Sequence, residues 1–94
     1  MNQKITELGP VGRSIEQKLR SAFAPASLEV IDESHHHAGH AGARPGGESH
    51  FRVRITAAAF QAKSRVEQHR MINGALAQEI AEGVHALAIQ SAAT

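Results

Sequence analysis

The chain has 94 residues, with ten Lys or Arg against nine Asp or Glu and no cysteine. That length supports one modest hydrophobic core, and a formal charge of +1 lacks the basic excess of a dedicated phosphate binder. Missing thiols exclude disulfides, thiolate nucleophiles and sulfur ligands from this chain, so any metal it holds is held by nitrogen or oxygen.

Residues 1–9 read as an N-terminal tail, 10–90 as one domain and 91–94 as a C-terminal tail. The opening MNQKITELGP has no apolar core of signal-peptide length, and nothing in the chain approaches the ~20 apolar residues of a membrane span. A soluble, cytoplasmic protein with no membrane contact is the expectation. After Gly9-Pro10, Val11, Ile15, Leu19 and Ala22/Phe23 recur at spacings of three and four among charged residues, which predicts an amphipathic helix ending before Pro25. Leu28 and Val30 then predict a short strand of about six residues, stopped by Asp32-Glu33-Ser34, although Ile31 interrupts its polar face.

Ser34 to Ser49 is a Gly/Pro/Ser-rich connection containing His35, His36, His37 and His40. Connections beyond about 12–15 residues are uncommon in compact domains and usually have a function. Imidazoles collected on such a segment suggest metal ligation more than packing, with His35 and His36 read as solvated. His37-x-x-His40 alone leaves a tetrahedral zinc site two ligands short. Beyond it, Phe51, Val53 and Ile55 alternate strictly with His50, Arg52, Arg54 and Thr56, giving a strand with one buried and one cationic face.

Ala57 to Phe60 reads as one helical turn. Ser64 and Glu67 form an S-x-x-E capping box that starts a helix from about Arg65 to Glu82, with Val66, Ile72, Leu76 and Ile80 as its apolar stripe and Gly83 as a left-handed cap. His69 sits on that stripe as a packed, hydrogen-bonded histidine, and Arg70 points away from it. Val84 to Ile89 is the third strand, with His85, Leu87 and Ile89 on one face. The fold class is therefore α+β, in the order α-β-β-α-α-β. The first two strands pair antiparallel, the third lies parallel to the second after a right-handed crossover, and helices cover one face of the three-stranded mixed sheet.

Four motifs occur in order: Asp32-Glu33-Ser34 before the histidine segment, Ser49-His50-Phe51-Arg52-Val53 with Phe60, Val66 to Asn73, and Val84 to Ile89. Over about residues 10–90 the chain thereby resembles the BolA family, which implies a fold like the class II KH domain. The resemblance implies an adaptor that pairs with a monothiol glutaredoxin around a [2Fe-2S] cluster, in iron-sulfur trafficking, maturation or iron sensing. The glutaredoxin contributes its cysteine and a glutathione thiolate. The family's last-strand histidine maps onto His85; its loop ligand maps onto His37 by distance from Ser34, while the longer loop keeps His40 as an alternative counted back from His50. Apo iron-sulfur proteins would receive the cluster. The sequence departs from the family at Gln68, where Arg is frequent, at Ala62, where Gly is frequent, in the loop length, and in lacking a final helix that some members carry.

Imidazole ligation at one iron of such a cluster replaces two thiolates, reduces negative charge and raises the reduction potential. The competing class is a DNA-binding transcriptional regulator with KH-like or helix-turn-helix character, using Lys63, Arg65 and Arg70. Three cations make few phosphate contacts. The one G-x-x-G, Gly39-His40-Ala41-Gly42, falls between strands rather than helices, and without Tyr or Trp there is little to stack bases on. No spacing defines a nucleophile with an oriented base, so no enzymatic activity is expected.

Overall fold

The computed structural model of the chain describes residues 8–34 and 48–94, so His35, His36, His37 and His40 lie outside it. The first helix, α1 (Pro10–Phe23), has Pro at its start, where the missing amide is no loss. Its N-cap, Gly9, has no side chain, and the Glu48 carboxylate substitutes by accepting from the amides of Val11 and Gly12 at 2.9 and 3.2 Å. A Cβ at Gly9 would lie 2.6 Å from that carboxylate, which is why a residue without one stands there. The helix ends at Ala24 in a left-handed conformation, just ahead of Pro25.

Two strands follow, β1 (Ser27–Asp32) and β2 (His50–Ala57), antiparallel, with Val30 opposite Val53. A 3₁₀ turn, Ala58–Phe60, leads to α2 (Arg65–Ala75) and α3 (Ala77–Glu82), and β3 (Ala86–Ala93) closes the sheet parallel to β2 in the order β1-β2-β3. The expected element order and strand pairings are observed. Along β2 the alternation places Phe51, Val53, Ile55 and Ala57 in the core, where they meet Ile15 and Leu19 of α1, Phe60, Ile72 and Leu76. Phe23 closes the far side against Phe60, ring centroids 5.1 Å apart.

Three expectations need correction. The predicted single helix over Arg65–Glu82 is broken at Leu76, whose φ of −105° and ψ of 17° leave the helical region. Asn73 and Gly74, weak helix formers, precede the break. The inward stripe is Gln68, Ile72, Leu76 and Glu79 rather than Val66, Ile72, Leu76 and Ile80: Val66 is 59% and Ile80 38% exposed, while Glu79 is 5% exposed. Glu79 is admitted to the interior because Lys18 (2.8 Å) and the Ser14 hydroxyl, both on α1, hold its carboxylate. Finally, β3 begins two residues later than predicted and runs on to Ala93, so residues 91–93 are strand. Gly83 does end α3 with a positive φ of 142°, a conformation L side chains rarely adopt. Among the described residues no helix is long and apolar enough to cross a membrane.

Candidate metal-binding edge and the family it defines

Asp32-Glu33-Ser34 and Ser49-His50 face each other where β1 ends and β2 begins, and together they pin the base of the 35–47 connection. Ser34 is the centre of this clamp. Its own amide donates to Asp32 Oδ1 at 2.8 Å, and its hydroxyl oxygen accepts from the Ser49 amide at 2.9 Å and the His50 amide at 3.2 Å. Glu33 is ion-paired with Arg52 at 2.8 Å, and its amide donates to the His50 carbonyl. The motif therefore has a local structural role, which is to close a long loop by satisfying buried backbone groups.

The same edge receives the start of the last strand, because the Ser49 carbonyl accepts from the amides of His85 and Ala86 at 2.7 and 3.2 Å. This join brings His85 beside His50, with ring centroids 6.2 Å apart. His85 is exposed, two residues past the Gly83 turn and immediately before β3. His50 is half-buried, with its Nδ1 2.8 Å from the Ser49 hydroxyl, which fixes the ring. Sequence reasoning did not select His50. The signal was its place opposite Ala86 in the parallel register, a fact that alternation along one strand cannot supply.

Of the residues expected to ligate metal, His85 is thus solvent-accessible at the mouth of the connection, while His37 and His40 are outside the described residues. Among the described residues no three His, Cys, Asp or Glu side chains cluster as a complete metal site. Two accessible or fixed imidazoles at a loop base form an incomplete donor set, suited to a metal centre that a second molecule helps to build.

The alternative, nucleic-acid-binding residues are placed differently. Lys63, Arg65 and Arg70 are all exposed around the start of α2. Glu67 stands among them as the capping-box acid: hydrogen bonding from the Ser64 backbone, with the nearby Lys63 and Arg70 charges, holds its carboxyl below the usual range. The expected cationic face of β2 is largely neutralised, since Arg52 pairs with Glu33 and Arg54 with Glu29 at 3.2 Å and Gln90 at 2.7 Å. Gln68 does not face outward: it is buried, donates to the Lys63 carbonyl and accepts from the Ser91 hydroxyl. Its departure from Arg therefore changes an internal tie between α2 and β3. His69 is half-buried and makes no hydrogen bond among the described residues, contrary to the expectation of a bonded core histidine.

A mixed three-stranded sheet with helices on one face, and an exposed histidine just before its last strand, defines a small α+β domain of the class II KH-like kind. The family model described as BolA-like protein matches residues 19–94, and the chain belongs to that family. It is 54% identical over 84 residues to an uncharacterised Sinorhizobium protein, covering 85% of this chain and 87% of that one. The solved BolA domain of SufE1 from Arabidopsis thaliana superposes with a TM-score of 0.84 at 44% identity, over 93% of this chain and 95% of that one. The DNA-binding transcriptional regulator BolA of Escherichia coli is 46% identical over 77 residues, 82% of this chain and 70% of that protein. The share of a relative that is spanned is not uniform; it falls to 24% for the SufE-like protein 1 of Arabidopsis thaliana.

Proposed function

We propose that this chain is an adaptor that pairs with a monothiol glutaredoxin and completes the coordination of a shared [2Fe-2S] cluster through His85 and one loop histidine, His37 or His40. The cluster is cargo, built with the partner's cysteine and glutathione and passed to apo iron-sulfur proteins or read as an iron signal. The observation that carries this reading is the exposed His85 ring at the base of the connection, 6.2 Å from the His50 ring. A cysteine-free chain offers no thiolate, and imidazole is a ligand that such clusters accept. The role of the fold is to hold His85 at a fixed edge while leaving one side of its ring to a neighbour. Among the described residues no set of side chains calls for a catalytic step of the chain's own.

The test is to mix the chain with cluster-loaded monothiol glutaredoxin and follow visible absorption and circular dichroism. A new spectrum that is absent with His85→Ala supports the adaptor; a glutaredoxin spectrum that does not change on mixing refutes it. Because His85 is exposed, His85→Ala changes folding stability by no more than ~0.5 kcal/mol, so loss of the spectrum is separable from unfolding.

A DNA-binding reading draws on the name of the Escherichia coli relative and on the exposed Lys63, Arg65 and Arg70. Each phosphate contact contributes about 0.9 to the slope of log affinity against log salt. Titration of duplex DNA at two salt concentrations decides it, and undetectable affinity at moderate salt ends that reading.

A further inference from the structure

β3 is an edge strand with little to defend it. Eight consecutive pairs with β2, from His50 opposite Ala86 to Ala57 opposite Ala93, leave it unbroken by any bulge, and from Ala86 to Ala93 it has no charge and no proline. Edge strands usually carry Lys, Pro or a bulge because their unpaired amides and carbonyls template a further strand. In a parallel ladder a residue directs both its backbone groups to the partner or neither. Ala86 donates to Ser49, so the period of two turns the backbone groups of Leu87, Ile89, Ser91 and Ala93 to the outer edge. Among the described residues, β3 pairs with β2 alone.

A groove of about 560 Å³ borders the later half of β3 and extends across the end of the sheet as far as Ser27 of β1. Ile89 and Ser91 contribute from β3, Arg65 and His69 from the first turns of α2, and Arg54 and Thr56 from β2; no Asp or Glu lines it. Arg65 and His69 make no hydrogen bond or ion pair among the described residues, whereas Arg54 is shared with Glu29 and Gln90. The outer strand on the other side, β1, carries Glu29 and Asp32 and offers no such field. From His85 to Ser91 is six residues, about 20 Å at ~3.3 Å per residue, so the groove is separate from the histidine edge.

We infer that the outer edge of β3 accepts an extended acidic peptide segment of a partner protein as a fourth strand, with Arg65 seating one of its carboxylates. Backbone bonds to the outward groups of Leu87, Ile89, Ser91 and Ala93 provide the adhesion, and the cationic rim provides the choice of sequence. A nucleic-acid strand is the less suited occupant, because the rim has no Phe, Tyr or Trp and its one imidazole, His69, is half-buried.

The probe is a synthetic peptide of about eight residues alternating Glu with Val and Thr, titrated into the full chain while amide resonances are followed by NMR. Shifts centred on Leu87, Ile89, Ser91 and Ala93 are expected. N-methylation of alternate peptide residues, which keeps the charge and removes the ladder donors, is expected to abolish them. Arg65→Ala, an exposed change that leaves the capping box intact, is expected to weaken binding about threefold to fivefold, the scale of one solvent-exposed ion pair. The inference is overturned by any of four results: no shifts at millimolar peptide, equal binding of the N-methylated peptide, tighter binding of a short single-stranded oligonucleotide at the same residues, or sedimentation showing the edge taken by a second copy of this chain. None of these outcomes touches the cluster test, which reads the opposite end of the sheet.

Discussion

Replacing Ser34 by Ala removes a single hydroxyl and strands two backbone amides. The Ser49 amide loses its acceptor at 2.9 Å in a residue that is fully buried, so water cannot replace it; an unsatisfied buried donor costs about 1–3 kcal/mol. The His50 amide loses a longer contact, 3.2 Å, in a half-buried residue, and adds about 0.5 kcal/mol. Together the loss is about 2–3 kcal/mol, which in a domain of this size lowers the melting temperature by roughly 10–20 °C. Urea denaturation followed by far-UV circular dichroism measures it, with an unchanged dependence on denaturant showing that the unfolded state is not involved. Ser34→Thr, which keeps the oxygen, is the control, expected within ~1 kcal/mol of the parent. A loss below ~0.5 kcal/mol for the Ala variant refutes the clamp as the element that closes the connection.

Two further outcomes follow from the packing. Burial opposes ionisation of Glu79, but the Lys18 and Ser14 hydrogen bonds outweigh it and hold the carboxyl below its ordinary value of 4.5. The contact therefore stabilises the fold above that pH and is lost as pH falls through the depressed folded value. Glu79→Gln is expected to cost about 1–2 kcal/mol at neutral pH, with the difference shrinking on acidification below 4.5; parallel acid limbs for the two proteins would show that Lys18 and Ser14 do not hold a carboxylate. Ala62 sits at a φ of 64° in the turn before α2, a conformation that costs a Cβ-bearing residue about 1–2 kcal/mol. Ala62→Gly is expected to raise stability by about 0.5 kcal/mol after the greater unfolded-state freedom of Gly is subtracted, read as a higher urea midpoint; a lower midpoint contradicts it.

What the sequence disclosed depended on whether the information was local. Strict alternation gave β2, and the Ser64–Glu67 spacing gave the start of α2, since each is set by contacts within a few residues. The inward stripe of the long helix departs from apolar periodicity because two of its four positions are polar, Gln68 being tied to the Lys63 carbonyl and to Ser91, and one Glu79 carboxylate oxygen to Lys18 and Ser14 on α1. The break at Leu76 follows Asn73-Gly74, a pair whose weak helix preference is a local signal that the capping box and the apolar spacing of Ile72, Leu76 and Ile80 outweighed in the sequence. At the candidate site, family motifs singled out His85 and the loop histidines, but its neighbour His50 became visible only through the parallel register of β2 and β3.

The fastening around residues 34 and 48 to 50 lies wholly outside the stretch 35–47: Ser34 grips the amides of Ser49 and His50, and Glu48 grips the head of α1. A substitution confined to 35–47 leaves in place the donors and acceptors that make these two knots. The domain thereby separates the residues that fasten its strand ends and helix start from the run of sequence that carries His35, His36, His37 and His40.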